Sequence, residues 1–227
     1  MPILCQQRTF SVRRAHEAQT HLAKRLILED RLPSKIRRVA GVDVAYAKNL
    51  SIGAVAVMDY DSLNLVESQT VVCETQIPYI PTLLSFREIR STVMCIRKLK
   101  TQPDLFLVDG QGYAHPYRCG FASHLGLVIG KPTIGAAKNR LLGEVANAQT
   151  KKDVTFLRHR NEIVGAAVST GHSSKPVYVS AGHMVSLDTA IGIIKHCTQK
   201  NRIPEPLLKA HEIATEEKRK RQYAISE

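Results

Sequence analysis

The 227-residue chain has 44% hydrophobic and 23% charged residues, which is the composition of a globular protein and excludes wholesale disorder. Its 32 Lys and Arg outnumber its 20 Asp and Glu, and the net charge of +12 favours nucleic acid as a partner, with an anionic membrane surface or mere solubility as alternatives. No apolar run approaches the ~20 residues of a membrane helix, and the N-terminus lacks a signal-peptide core, so we expect a cytoplasmic protein that binds no membrane.

The first half of the chain is predicted to form one helix and three strands. Apolar residues recur at helical spacing from Ser11 until Pro33, which predicts a basic amphipathic helix. Three runs of strand composition follow, and short turns join them, so we expect an antiparallel meander. These runs cover residues 38–47, 51–60 and 63–75.

The second half alternates between helix and strand patterns. A helical pattern from Pro81 to Lys100 precedes a short apolar strand at residues 103–110, and a Gly- and His-bearing loop follows it. The remaining predicted elements are a helix at 122–130, strands at 132–137, 162–170 and 176–182, and helices from Ser186 and from Glu205. The order of elements predicts an α/β fold with a mixed sheet and helices packed on its faces, in a single domain over residues 1–227.

The cysteines and nearby histidines do not indicate a metal or disulfide framework. The five cysteines are odd in number and widely scattered, and no two form a Cys-x-x-Cys pair. His115, Cys119 and His124 have no fourth ligand at a suitable spacing, so we do not expect a zinc site there.

Two aspartates occupy unusual places in apolar strands. Asp43 lies in the middle of the run VAGVDVAYA, and Asp109 ends the run DLFLVDG, where open α/β sheets place their sites. An unpaired carboxylate in such a place would cost several kcal/mol, roughly. The alternative is that each is an Asp of a strand-terminal turn. Two such acids on neighbouring strands could share a cation, for which Mg²⁺ or Mn²⁺ is the usual choice.

Three further residues could complete a phosphoryl-transfer site. Glu88 lies in a predicted helix behind an apolar loop, and it is either a third metal ligand or a solvated surface residue. Lys138 follows an apolar strand, where it is either a cation that faces the acids or a surface lysine. His211 lies on the last helix, where packing is its simpler explanation.

Taken together, these segments resemble the endonuclease V family, nucleases of RNase H-like fold that recognise deaminated purines. The resemblance runs from about Leu22 to Ala214 and depends on several separate motifs. The motifs are LILEDRL, VAGVDVAY, PYIPTLLSFRE, LVDGQGYAHPYRCGFASHLG, KPTIGAAKNRL, KPVYVSAGH and PEPLLKAHEIA.

The resemblance implies a role for each matching residue. The metal-binding carboxylates of the family fall on Asp43, Glu88 and Asp109, and its catalytic lysine and histidine fall on Lys138 and His211. The wedge that fills the gap left by an extruded base falls on Tyr79. The pocket that reads hypoxanthine is expected to involve Pro78, Ile80, Pro81, Leu84, Gly110, Gly112, His115, Gly120 and Leu141.

The resemblance also implies a reaction. We expect a monomeric, Mg²⁺-dependent repair endonuclease, with Mn²⁺ as a substitute, that cuts the second phosphodiester bond 3′ to inosine and leaves 3′-hydroxyl and 5′-phosphate ends. DNA and RNA both stay open as substrates. A related RNase H-like nuclease for junctions or hybrids and a catalytically silent binding module are the alternatives. The chain departs from the family pattern at Thr82, where we expect Gly, at Ile89-Arg90, and at Ala181.

Overall fold

The computed structural model describes residues 10–151, 153–171 and 173–223. The strands are β1 (Arg38–Ala47), β2 (Leu50–Asp59), β3 (Leu65–Glu74), β4 (Leu105–Asp109), β5 (Thr133–Ala137), β6 (Glu144–Lys151), β7 (Val154–His159), β8 (Glu162–Val168) and β9 (Val177–His183). The helices are α1 (Val12–Ala23), α2 (Leu84–Ile96), α3 (Phe121–Ile129), α4 (Leu187–His196) and α5 (Glu205–Tyr223).

In the described part of the chain, nine strands form one mixed sheet in the order β3-β2-β1-β4-β5-β9-β8-β7-β6. The first three strands make the antiparallel meander that their short turns predicted. Strand β4 lies parallel to β1, and β5 lies parallel to β4. The carboxyl ends of β1, β4 and β5 therefore meet at the same end of the sheet, which is where α/β folds place their sites.

Helices cover both faces of the sheet. On one face, Ala40 of β1 belongs to the same buried cluster as Cys95 of α2 and residues of α3. On the opposite face, Val39 belongs to a cluster with Ile194 of α4 and Leu207 of α5. Because neighbouring strand residues point to opposite faces, the strand buries apolar side chains on both. The predicted mixed α/β fold is confirmed.

The first helix is shorter than its apolar spacing predicted. It ends at Ala23, well before Pro33, and the chain then runs beside the end of β9. The Met184 N–H donates to the Ile27 carbonyl oxygen (2.7 Å), and the Arg31 N–H donates to the Met184 carbonyl oxygen (3.0 Å). Two leucines of this segment also pack against the core. Because the extended path satisfies the backbone and buries the same apolar residues, it replaces the helix.

Strands β6 and β7 were not predicted. They form the far end of the sheet and pair with one another in an antiparallel manner. The segment EVANAQTK is too polar to give a strand signal by itself, so pairing with its neighbour decides its conformation.

Across the described ranges, no helix combines the length and the apolarity needed to cross a membrane.

Candidate active site

Asp43 and Asp109 lie side by side at the carboxyl ends of two parallel strands. Val42 of β1 pairs with Val108 of β4, so the next residue on each strand is one of the two aspartates. Their side chains are 13% and 21% exposed, respectively. The structure therefore brings together the two acids that the sequence singled out.

Each aspartate accepts a hydrogen bond from a side chain on another element. Nζ of Lys138, just after β5, lies 2.7 Å from Oδ2 of Asp109, and Nδ1 of His211 on α5 lies 2.7 Å from Oδ2 of Asp43. Burial raises the pKa of Asp109 against the lowering effect of the Lys138 ammonium, and the charge of Asp43 raises it further. Asp109 therefore lies in a desolvated environment, where the Lys138 ammonium favours its charged form.

Glu88 points from α2 into the same region. Its side chain is buried, with 6% of the residue exposed, and the Tyr46 hydroxyl donates to its Oε1 (2.9 Å). Burial raises the pKa of Glu88 to about 8, and the charges of Asp43 and Asp109 contribute to the increase. Glu88 is thus a third desolvated acid of this cluster and not a solvated surface residue.

The chemistry of the three acids fits Mg²⁺ or Mn²⁺, since carboxylate oxygens are the ligands that these cations prefer. A bound cation would also offset the burial and mutual repulsion of Asp43, Glu88 and Asp109. Within the described residues, no three His, Cys, Asp or Glu side chains already converge as a metal site. Lys138 and His211 instead each engage one aspartate oxygen.

A cavity of about 320 Å³ opens next to the acidic cluster. Asp109 of the acidic cluster (Asp43, Glu88 and Asp109) belongs to its lining, and so does Lys138, which donates to Asp109. The predicted wedge Tyr79 lines it together with five of the nine predicted pocket residues, namely Leu84, Gly110, His115, Gly120 and Leu141. A Cβ at Gly120 would lie 2.3 Å from the Gln111 carbonyl oxygen, so only glycine permits this close approach of two backbone segments.

Four predicted pocket residues do not line the cavity: Pro78, Ile80, Pro81 and Gly112. The first three belong to the segment that carries Tyr79. Gly112 packs against β9, where an added Cβ would lie 2.2 Å from the Ala181 carbonyl oxygen. Its N–H donates to Oγ of Ser180 on β9 (2.9 Å), so Gly112 anchors the loop to this strand.

Several residues that line the cavity were not predicted from the sequence. These are Thr82, Ser85, Gln111, Phe121, Ala137 and Asn139. Nε2 of Gln111 donates to the Asn139 carbonyl oxygen (2.9 Å), which connects the segments that follow β4 and β5. Its place between two glycines of the motif DGQG is the one sequence signal that pointed to Gln111.

Comparison with known proteins finds the same fold and sequence pattern elsewhere. A family model described as Endonuclease V matches residues 20–212, which include every residue discussed in the acidic cluster. Endonuclease V of Thermofilum pendens is 45% identical over 207 residues, which is 91% of this chain and 88% of the relative. The crystal structure of Endonuclease V from Streptomyces avermitilis has a TM-score of 0.86 at 36% identity, covering 93% of this chain and 95% of that chain. A complex of Ciona intestinalis Endonuclease V with DNA containing an inosine followed by a ribo-adenosine has a TM-score of 0.83 at 32% identity, covering 92% and 98%.

Proposed function

This chain belongs to the Endonuclease V family, and we propose that it is a Mg²⁺-dependent enzyme that cuts the second phosphodiester bond on the 3′ side of inosine. The products would carry 3′-hydroxyl and 5′-phosphate ends, and the deaminated base would stay in the strand. Membership of the family makes the chain an endonuclease that acts on DNA in repair.

One observation carries the proposal. Asp109 belongs both to the acidic cluster and to the lining of the adjacent cavity, and its hydrogen-bond partner Lys138 lines the cavity as well. A nucleotide whose base entered the cavity would therefore have its sugar-phosphate backbone close to the acids. Such an arrangement couples recognition of a base to hydrolysis of a nearby phosphodiester bond.

The three acids would hold the metal. Asp43 and Asp109 contribute oxygens from adjacent strands, and Glu88 completes the site from α2. When bound, the metal would polarise the scissile phosphate and lower the pKa of the attacking water. Mn²⁺ has the same ligand preference, so we expect it to substitute for Mg²⁺.

Lys138 and His211 would act on the phosphate. Both side chains already lie 2.7 Å from aspartate oxygens, at the border between the acids and the space that a substrate would enter. The Lys138 ammonium would neutralise charge that develops on the phosphate oxygens. His211 would orient the phosphate from the α5 side. The Lys138 ammonium would give the phosphate a positive charge beside the acids, which by themselves would repel it.

Recognition of the base would depend on the cavity and on Tyr79. Removing a base from the duplex costs a few kcal/mol, about the amount that a stacked aromatic ring can offset. Tyr79 is 68% exposed at the cavity, so its ring is free to enter the gap. The inosine-containing DNA bound by the Ciona intestinalis relative supports inosine as the base. The ribo-adenosine of that ligand supports RNA as a second candidate substrate.

A nicking assay on inosine-containing and plain oligonucleotides of DNA and RNA, with Mg²⁺ or with EDTA, tests the proposal. We expect metal-dependent cleavage that strongly favours the inosine strands over the plain ones. In Asp43→Asn or Asp109→Asn, the cleavage rate should fall by at least about a hundredfold while nucleic acid is still bound. Asp61→Asn changes an exposed aspartate with a 3.8 Å contact to Lys35 and serves as the control that keeps activity.

The same assay separates the alternatives. Metal-dependent cleavage without a preference for inosine would indicate a nuclease that recognises nucleic-acid shape. Binding without cleavage would indicate a silent module. Full activity in either Asp→Asn variant would contradict the assignment of the site. One chain carries both the acids and the cavity lining, so we propose that a monomer suffices for activity.

A further inference from the structure

The chain turns sharply directly after Tyr79. The Leu83 N–H donates to the Ile80 carbonyl oxygen (3.0 Å), Pro81 follows Ile80, and Thr82 has a φ of 71°. These features fit a type II turn, whose third position requires a positive φ and therefore favours glycine. Thr82 is instead a β-branched residue in a backbone conformation that such residues avoid. The structure thus explains why glycine is expected at this position.

Three side chains from outside the turn bond to Thr82. The Thr82 hydroxyl lies 3.0 Å from Nε2 of His16, and the Thr82 carbonyl oxygen accepts from Nε2 of Gln19 (2.9 Å) and from Nε2 of His115 (3.0 Å). We call His16, Gln19 and His115 the turn clamp. A strained backbone conformation persists only where its surroundings hold it, and the turn clamp supplies that hold.

Gln19 connects the turn to the segment at Cys119, which precedes the cavity residue Gly120. It is 0% exposed, although it lies on the basic helix α1. Its Nε2 donates both to Thr82 and to the Cys119 carbonyl oxygen (2.9 Å), next to the cavity residue Gly120. Burying an amide is costly unless it is hydrogen-bonded, and these two contacts satisfy the Nε2 group, whereas Oε1 is buried without a hydrogen-bond partner among the described residues.

A closed circuit of contacts joins His16, Thr82, His115 and Tyr117. The Tyr117 N–H donates to Nδ1 of His115 (3.2 Å), so Nε2 of His115 carries the proton that is donated to Thr82. Burial lowers the pKa of His115 to about 4, which keeps its imidazole neutral at physiological pH. The Tyr117 ring stacks on His16 with centroids 4.2 Å apart.

We propose that the turn clamp fixes Tyr79 at the mouth of the cavity before nucleic acid binds, which makes Thr82 and Gln19 positioning residues for the discrimination of inosine. The inference rests on the proposed function, because the position of Tyr79 matters only if a base leaves the stack. An already ordered loop loses less entropy when the substrate binds. The turn clamp therefore acts on binding of the inosine strand, whereas the acidic cluster sets the rate of hydrolysis.

Thr82→Val tests the inference, since it keeps the branched shape and removes the hydroxyl that meets His16. Loss of one neutral hydrogen bond corresponds to about a three- to tenfold change in an equilibrium. We expect KM for an inosine oligonucleotide to rise by about that factor with kcat unchanged. Thr82→Ser keeps the hydroxyl and should return KM to the wild-type value. The Leu83 amide should exchange its hydrogen faster in Thr82→Val than in Thr82→Ser.

Thr198→Val is the matched control. It removes a hydroxyl that donates to the Ile194 carbonyl oxygen (2.7 Å) near the end of α4, and KM should not change. Equal KM values in Thr82→Val, Thr82→Ser and the wild type would overturn the inference, as would a KM increase of the same size on plain DNA. A wild-type enzyme without a preference for inosine would overturn the proposed function and the inference with it. If the wild type prefers inosine and Thr82→Val shows the same preference undiminished, the inference alone would be overturned.

Discussion

In the proposed mechanism, single side chains connect recognition of the base to hydrolysis. Asp109 and Lys138 bond to each other (2.7 Å) and also line the cavity, so a base and its neighbouring phosphates would meet the same two groups. Tyr79 lies on the other side of the cavity lining, with most of its ring exposed. Selectivity and reaction rate should therefore respond to different substitutions.

Tyr79→Ala should reduce selectivity for inosine over normal DNA. A base stacked on an aromatic ring gains about 1–3 kcal/mol, which corresponds to about a five- to hundredfold loss in the ratio of the two kcat/KM values. The Mg²⁺ concentration that gives half-maximal activity should not change, because within the described residues no hydrogen bond or ion pair joins Tyr79 to Asp43, Glu88 or Asp109. Both values come from initial nicking rates on paired oligonucleotides.

Leu65→Ala is a suitable control for Tyr79→Ala. Leu65 is another exposed large apolar residue, 44% exposed on β3, and its removal should leave the selectivity unchanged. An unchanged preference for inosine in Tyr79→Ala would show that Tyr79 is not the wedge.

Among the elements, α5 is placed by a single glycine of β1. A Cβ at Gly41 would lie 1.9 Å from the Pro206 carbonyl oxygen at the start of α5, so the helix backbone rests directly on the strand. This close approach brings His211 of α5 to Asp43 of β1. The geometry of the catalytic cluster therefore depends on close packing between α5 and β1.

Gly41→Ala should destabilise the protein and slow nicking. Overpacking of a close contact costs about 1–3 kcal/mol, and the helix that carries His211 has to move to relieve it. The free energy of unfolding from urea titration and the nicking rate should both fall.

Gly192→Ala is the matched control, since an added Cβ at this exposed position of α4 meets nothing within 4 Å. In a helix interior the change from Gly to Ala stabilises by about 0.5–1 kcal/mol, so Gly192→Ala should raise the free energy of unfolding. Wild-type stability and activity in Gly41→Ala would contradict the role assigned to this packing.

Across the whole molecule, the net charge of +12 surrounds a small acidic centre. Basic residues are concentrated near both ends of the described chain, between Arg13 and Arg38 and in the last turns of α5. Contacts to phosphates release counterions and carry no information about the base. Charge should therefore set how tightly nucleic acid binds, and the cavity should set which base is chosen.

Binding should weaken steeply as salt increases. The logarithm of the association constant should fall linearly with the logarithm of salt concentration, by about 0.9 for each phosphate neutralised on duplex DNA. Fluorescence anisotropy in EDTA, with inosine and plain duplexes of the same length, measures both slopes without cleavage. We expect nearly equal slopes, so that the preference for inosine changes little with salt. A flat dependence, or a preference that disappears at moderate salt, would contradict this division of roles.

Much of the fold and of the candidate site could be predicted from local sequence. The three-strand meander and the buried strand that ends at Asp109 have strong apolar patterns between short turns. The polar segment of β6 has no such local signal, and the helical spacing after Ala23 gave a wrong prediction, because contacts with other segments decide both conformations. Gln19 was missed for the same reason, since the Cys119 carbonyl oxygen that it contacts is 100 residues away in the chain.

The sequence by itself determined the family of this protein and singled out its two unusual aspartates. A charged residue within an apolar strand is conspicuous because burial makes it costly, so Asp43 and Asp109 could be recognised without coordinates. Only the tertiary structure decided which groups meet. It set His211 against Asp43 across 168 residues and placed Thr82 within reach of His16 and Gln19. Contacts of this kind depend on how helices pack on the sheet, and local residue patterns do not encode that packing.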